Sequence, residues 1–281
     1  MKIYKYTILV SSVFLLISCG ENSTTNNQIK DSGIEDTQEK DGKEITQVKL
    51  DYVINNIPSP IIIVNDILDS GIPYKREVMF PTDNAQSLGT SSKTALCLGI
   101  YGADLCYTSL YEQAQDAINY MVTVKKLADY LGISAAVGEP TMGTFEKHIS
   151  NQDSLVHIVF SMYASMDKYL RSNDRVANAV FILAGGWIET FYLTIEMVKT
   201  NSDGNRTKIL RQRINENKHH LKNLLDLLSD FQDQHEFNEL ISQLQEIMDV
   251  YNDLDDPNKI SDEEFEMFSN KITSLRNNLP V

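Results

Sequence analysis

After residue 205 the apolar residues recur at intervals of three and four. Phe237, Leu240, Leu244, Ile247, Tyr251 and Leu254 keep the alternation without a miss, and Phe265, Phe268, Ile272, Leu275 and Leu279 repeat it. Leu210, Ile214, Leu221, Leu224, Leu228 and Phe231 hold the same spacing around one polar slot at Asn217. Such a rhythm lines up residues on one stripe of an α-helix, whereas a half-buried strand needs a period of two. Each run is short, so the pattern predicts antiparallel helices folding back on one another instead of one long rod. No strand pattern or Asn-Gly hairpin occurs elsewhere. The expected fold class is all-α, a multi-helix bundle of about seven or eight helices.

The rest of the chain is punctuated by helix starts and stops. Ser59-Pro60 reads as an N-cap with proline in the first turn, and Gly71 as a stop, which places a helix over 61–70. Residues 71–90, with Pro73, Pro81 and Gly89, read as a long irregular connection with a turn of helix at 83–88. Helix is expected from Ser91 to Leu131, with a bend near Gly99 to Gly102 or near Tyr111, and Gly132 ends it. A modest helix to about 150, one over 153–171 and one from Asp174 to Lys199 follow, and Asn201 to Asn205 form a turn. Residues 48–281 are expected to be one helical domain, with glycine-containing central helices over 48–200 and heptad-patterned helices over 205–281.

Two stretches of that domain are unusual. "LGIYGADLCY" over 98–107 is almost wholly apolar but carries Asp104, and "ILAGGWIETFYL" over 182–193 carries Glu189 in similar company. On a helix Ala95, Gly99, Gly102, Cys106 and Ser109 form a row with almost no side-chain bulk, which lets another backbone approach closely. Gly185 and Gly186 offer a matching low profile, so helices 91–110 and 174–199 are expected to cross there. A buried carboxylate without a partner is costly, and it either binds a proton or finds a partner. Tyr101, Tyr107, Tyr111, Trp187, Tyr192 and Arg175 are candidate partners. The residues Tyr101, Asp104, Tyr107, Trp187 and Glu189 therefore form either a buried polar network or a ligand-binding pocket. The remaining cysteines, Cys97 and Cys106, would lie about 13.5 Å apart along a continuous helix, so they read as buried thiols and not as a disulfide.

The N-terminus reads MKIYKYTILVSSVFLLISCG. Lys2 and Lys5 precede a mostly apolar core over Ile8 to Ile17, too short to span a bilayer, where roughly 20 residues are needed. Leu16, Ser18 and Cys19 resemble the lipobox of bacterial lipoproteins. The resemblance implies a signal peptide over 1–18, removal before Cys19, and acyl chains on Cys19 that hold the protein to a membrane. Residues 20–47 are polar and carry almost nothing apolar, which is the composition of a disordered tether from the lipidated cysteine to the folded body. Gly20 is not the aspartate that favours inner-membrane retention in enteric bacteria, which points to the outer membrane. With the "LGIYGADLCY" helix, the whole pattern resembles helical lipoproteins of Bacteroidota-type bacteria to which no function is assigned.

The charge sets a limit on partners. The chain carries −14, and removing 1–18 takes away Lys2 and Lys5 but no acid, which leaves −16. So acidic a surface repels nucleic acid and anionic headgroups. Phosphate-binding loops, dinucleotide fingerprints, HExxH and GxSxG are all missing from the sequence. The lone Glu216-x-x-His219 lacks the second such pair that a di-iron bundle needs. No metal, cofactor or catalytic residue is expected. The expected role is a non-enzymatic binding or protein-interaction module of the cell envelope, with the helical seams after 205 as the contact surface. A small-molecule receptor with its pocket around Asp104 and Glu189 is the alternative, and an enzyme ranks third.

Overall fold

The computed structural model describes residues 46, 48–85, 89–137, 143–145, 147–148, 151–233, 235–256 and 259–279. Residues 1–45, to which the expected signal peptide, Cys19 and nearly all of the expected tether belong, lie outside them. Among the described residues the chain is all-α. A helical segment at 48–56 leads into α1 (Pro60–Asp69), α2 (Ser91–Leu110), α3 (Ala114–Tyr130), the single turn α4 (Ser134–Val137), α5 (Gln152–Ser172), α6 (Val176–Lys199), α7 (Gly204–Leu228), α8 (Asn238–Asn252) and α9 (Asp262–Asn277). Eight of these are ten residues or longer, and the only β-type pairing is an isolated bridge between Asp256 and Lys259.

Pro60 sits in the first turn of α1, and Gly71, at φ +67°, takes the left-handed conformation that stops it. The single helix expected from Ser91 to Leu131 is two. The break falls at Tyr111 to Gln113, where Glu112 has φ +55°, and α2 runs straight through Gly99 and Gly102. Helix α9 carries a complete capping box: Ser261 accepts from Glu264 N–H, and the Glu264 carboxylate accepts from Ser261 N–H at 2.7 Å.

The centre of the molecule is the crossing of α2 and α6. From Thr94 to Leu110 every residue of α2 is buried. A Cβ on Gly99 would overlap the Ile182 carbonyl oxygen, and one on Gly185 would overlap the Leu96 carbonyl oxygen. The two backbones touch through these glycines. Gly102 faces elsewhere: its missing side chain makes room for the Tyr163 hydroxyl of α5. Cys97 and Cys106 are buried and form no disulfide, and burial pushes the Cys97 thiol up to about 12.

The stripes after 205 face inward. Leu210, Ile214, Leu221, Leu224, Leu244, Ile247, Phe268 and Ile272 are all fully buried. The exposed apolar seam expected there is consumed by packing of α7, α8 and α9 on each other and on α6; on α9 only Met267, 43% exposed, stands out. The polar slot has a structural purpose, because Asn217 accepts from the Trp187 indole N–H at 3.0 Å. Of the described helices, α6 alone is long and apolar enough to cross a bilayer, and 78% of its most apolar stretch is buried against the rest of the protein.

Candidate functional site

Asp104 and Glu189 come together at the α2–α6 interface, both with zero exposure. Their charge partner is Arg276 of α9. Its guanidinium grips the Glu189 carboxylate with two bonds, Nε to Oε2 at 2.8 Å and Nη2 to Oε1 at 2.6 Å. This is the fork geometry that suits arginine to a carboxylate. The same Nη2 donates to the Val78 carbonyl at 2.8 Å, and the guanidinium lies between the rings of Phe80 and Tyr192, 4.2 and 4.0 Å from their centroids. Burial works against the Arg276 charge, but the charge of Glu189 and its hydrogen bonds outweigh it and hold the group above its ordinary value.

Asp104 completes the cluster with fewer partners. Its Oδ2 accepts from the Phe80 N–H at 3.0 Å, and its Oδ1 meets no donor. Burial, and next the negative charge of Glu189, push its pKa well above the usual carboxylate range; Arg276 and the Phe80 N–H pull the other way. One cation cannot neutralise two buried carboxylates, so the protonated form of Asp104 is favoured.

The network holds a length of irregular chain in the interior. Segment 72–81 has no strand to pair with, yet Ile72, Val78, Met79 and Phe80 are buried. Buried backbone groups need partners, and here side chains supply them. Tyr111 Oη donates to the Ile72 carbonyl at 2.7 Å, and Tyr107 Oη accepts from the Lys75 N–H at 2.9 Å. Tyr120 Oη donates to the Phe80 carbonyl at 2.6 Å, and Tyr101 Oη to the Pro81 carbonyl at 2.9 Å. With Asp104 and Arg276, six backbone groups of the segment are satisfied in this way. Four of the five candidate residues, Tyr101, Asp104, Tyr107 and Glu189, thus belong to one sealed polar network.

Trp187 stands apart. Its indole bonds to Asn217, its ring stacks on Phe191 at 5.1 Å, and its other face lines an apolar cavity of about 320 Å³. The cavity lies between the start of α1 with the chain before it, α5 and α6. Ile57, Leu170 and Ile182 form buried wall, while Phe160, 57% exposed, and Ala164 stand at the mouth. Asp167 is the one charged residue of the lining, and burial raises it to about 6. Nothing in the residue pattern announces this cavity, because Phe160, Tyr163 and Asp167 have the spacing of an ordinary amphipathic helix. No group of histidine, cysteine and acidic residues suited to a metal ion occurs among the described residues. No family model, curated protein or solved structure matches the chain.

Proposed function

We propose that this protein is a lipid-anchored component of a bacterial cell envelope whose helical body acts as a binding module. The lipobox-like Leu16-Ile17-Ser18-Cys19 supports acylation at Cys19, and the polar stretch that follows supports a body standing off the membrane, in keeping with its acidic charge. The observation that carries the binding role is the cavity beside Trp187. Its volume of about 320 Å³ falls at the lower end of the range for small-molecule sites, about 300–1,000 Å³. The Asp104–Glu189 pair does not serve as the receptor pocket in this reading, since both side chains are fully buried, Glu189 is held by Arg276 and Asp104 by the Phe80 N–H.

The test has two arms. Metabolic labelling with a palmitate analogue is expected to mark the wild type and miss Cys19→Ser; equal labelling of both rejects the anchor. Titration with 1-decanol is expected to change the emission of Trp187, the chain's single tryptophan, with a saturable curve. Ala164→Phe, at the cavity mouth, is expected to abolish that response. Failure of the wild type to respond rejects the cavity as a binding site.

A further inference from the structure

The cavity is dry along most of its wall, and two polar groups in its lining are uncommitted. Asp167 receives one bond, from Arg171 Nε to Oδ1 at 2.8 Å, and its Oδ2 meets no donor among the described residues. Arg171 is itself divided between Asp167 and Asp51. Ser59 is the second. It occupies the N-cap position of α1, where a serine side chain ordinarily accepts a bond from the first turn. Here the Ser59 hydroxyl makes no cap bond, and the residue lines the cavity. A half-paired, half-buried carboxylate gains from an added donor, and a hydroxyl can donate or accept.

Resting on the cavity reading above, the geometry points to a ligand class: a compact apolar molecule with a single hydroxyl or amine head, the body held among Ile57, Leu170, Ile182 and Trp187 and the head given to Asp167 Oδ2 and Ser59 Oγ. The size follows from the volume. A dry cavity of about 150 Å³ accepts one benzene ring, so about 320 Å³ holds roughly twice that bulk, a two-ring body or a medium-length chain. The charge follows from Asp167. With no cation in the lining and Arg171 already shared between Asp167 and Asp51, a carboxylate or phosphate head would set a further negative charge against Asp167 Oδ2 with no cation of its own.

The experiment uses the full chain carrying Cys19→Ser, free of attached lipid, and three probes of one chain length: 1-decanol, decylamine and decanoate. Binding is read by Trp187 emission and by calorimetry at high ionic strength, which suppresses general attraction of the amine to an acidic protein. Decanol and decylamine are expected to bind saturably and at least about tenfold more tightly than decanoate, the worth of one hydrogen bond to a charged group. Decylamine, whose charge meets Asp167, is expected to bind more tightly than decanol, and Asp167→Asn is expected to remove that preference while binding of decanol persists. If all three bind equally and Ala164→Phe blocks all three, the cavity reading stands and the head-group assignment is overturned. If none binds, the cavity reading falls and takes this inference with it. If Asp167→Asn leaves the amine preference intact, Asp167 is not the acceptor.

Discussion

At the scale of single residues, Asp104 and Glu189 share an environment but differ in partners. Glu189 has the arginine; Asp104 has one backbone donor, and burial next to Glu189 favours its protonated form. Asp104→Asn keeps an acceptor for Phe80 N–H and supplies a donor where Oδ1 now stands, so it is expected to change stability by less than about 1 kcal/mol in urea denaturation. Glu189→Gln strips Arg276 of its counter-charge, and Arg276→Met leaves a buried carboxylate unpaired; each is expected to cost about 3–5 kcal/mol. The pH dependence has a definite sign. Because the folded pKa of Asp104 is raised, the unfolded chain releases this proton first, and its contribution to stability is lost as pH rises toward the folded value. Unfolding free energy is expected to fall as pH rises above the unfolded aspartate value of about 3.9, by up to about 1.4 kcal/mol per unit until the folded value is passed, a slope that Asp104→Asn flattens. The sequence placed both acids in the core but not their partner. Tyrosines and Arg175 on neighbouring turns were in view, whereas Arg276 lies 87 residues from Glu189 and looks like a surface cation in a charged helix.

At the scale of elements, periodicity and caps carried the reading furthest. Proline in the first turn and glycine after the last set the limits of α1, and the three-four stripes became α7, α8 and α9 because each buries its apolar face in full. The row of small residues predicted the α2–α6 crossing. It did not predict that Gly102 serves Tyr163, because a row on one helix does not say which neighbour takes each notch. Of the two places where the sequence allows a bend, the one near Tyr111 is used, since the break is made by Glu112 at positive φ and not by the glycines upstream. The glycines give a sharp contrast. A Cβ at Gly99 or Gly185 would collide with a backbone carbonyl that cannot move without parting the helices. Gly99→Ala and Gly185→Ala are each expected to lose about 1–3 kcal/mol or more by overpacking. Gly186, next in line, has its nearest neighbours at 3.5 and 3.7 Å. Gly186→Ala is expected to fold normally and to gain about 0.5–1 kcal/mol from helix propensity. Thermal melts of the three variants side by side check the order.

At the scale of the whole molecule, the first and last parts of the folded body are tied by a few long-range contacts with high leverage. Arg276, in the last turn of the last helix, is the counter-ion for Glu189 and the donor to Val78, 198 residues away. Thr46 and Lys49 both reach Asp230 at 2.8 Å, and Arg213 of α7 pairs with Asp66 of α1 at 2.6 Å. Tyr251 of α8 donates to the Ile214 carbonyl, which fixes the register of the heptad helices. The change of sequence style at 205 therefore marks no mechanical boundary. A chain that stops before α9 keeps Glu189 in the core, removes its cation, and exposes the apolar faces that Phe268 and Ile272 cover. Such a chain is expected to be aggregated or molten, with far-ultraviolet helicity but no sharp melt. In the intact protein, Trp187 emission in the α6 core and overall helicity are expected to follow one urea curve with a shared midpoint. Two separated transitions would mean that α7 to α9 fold as a unit of their own. The Arg276 bond to Glu189 would then be a docking contact between units, and Arg276→Met would lower the midpoint of only one of them.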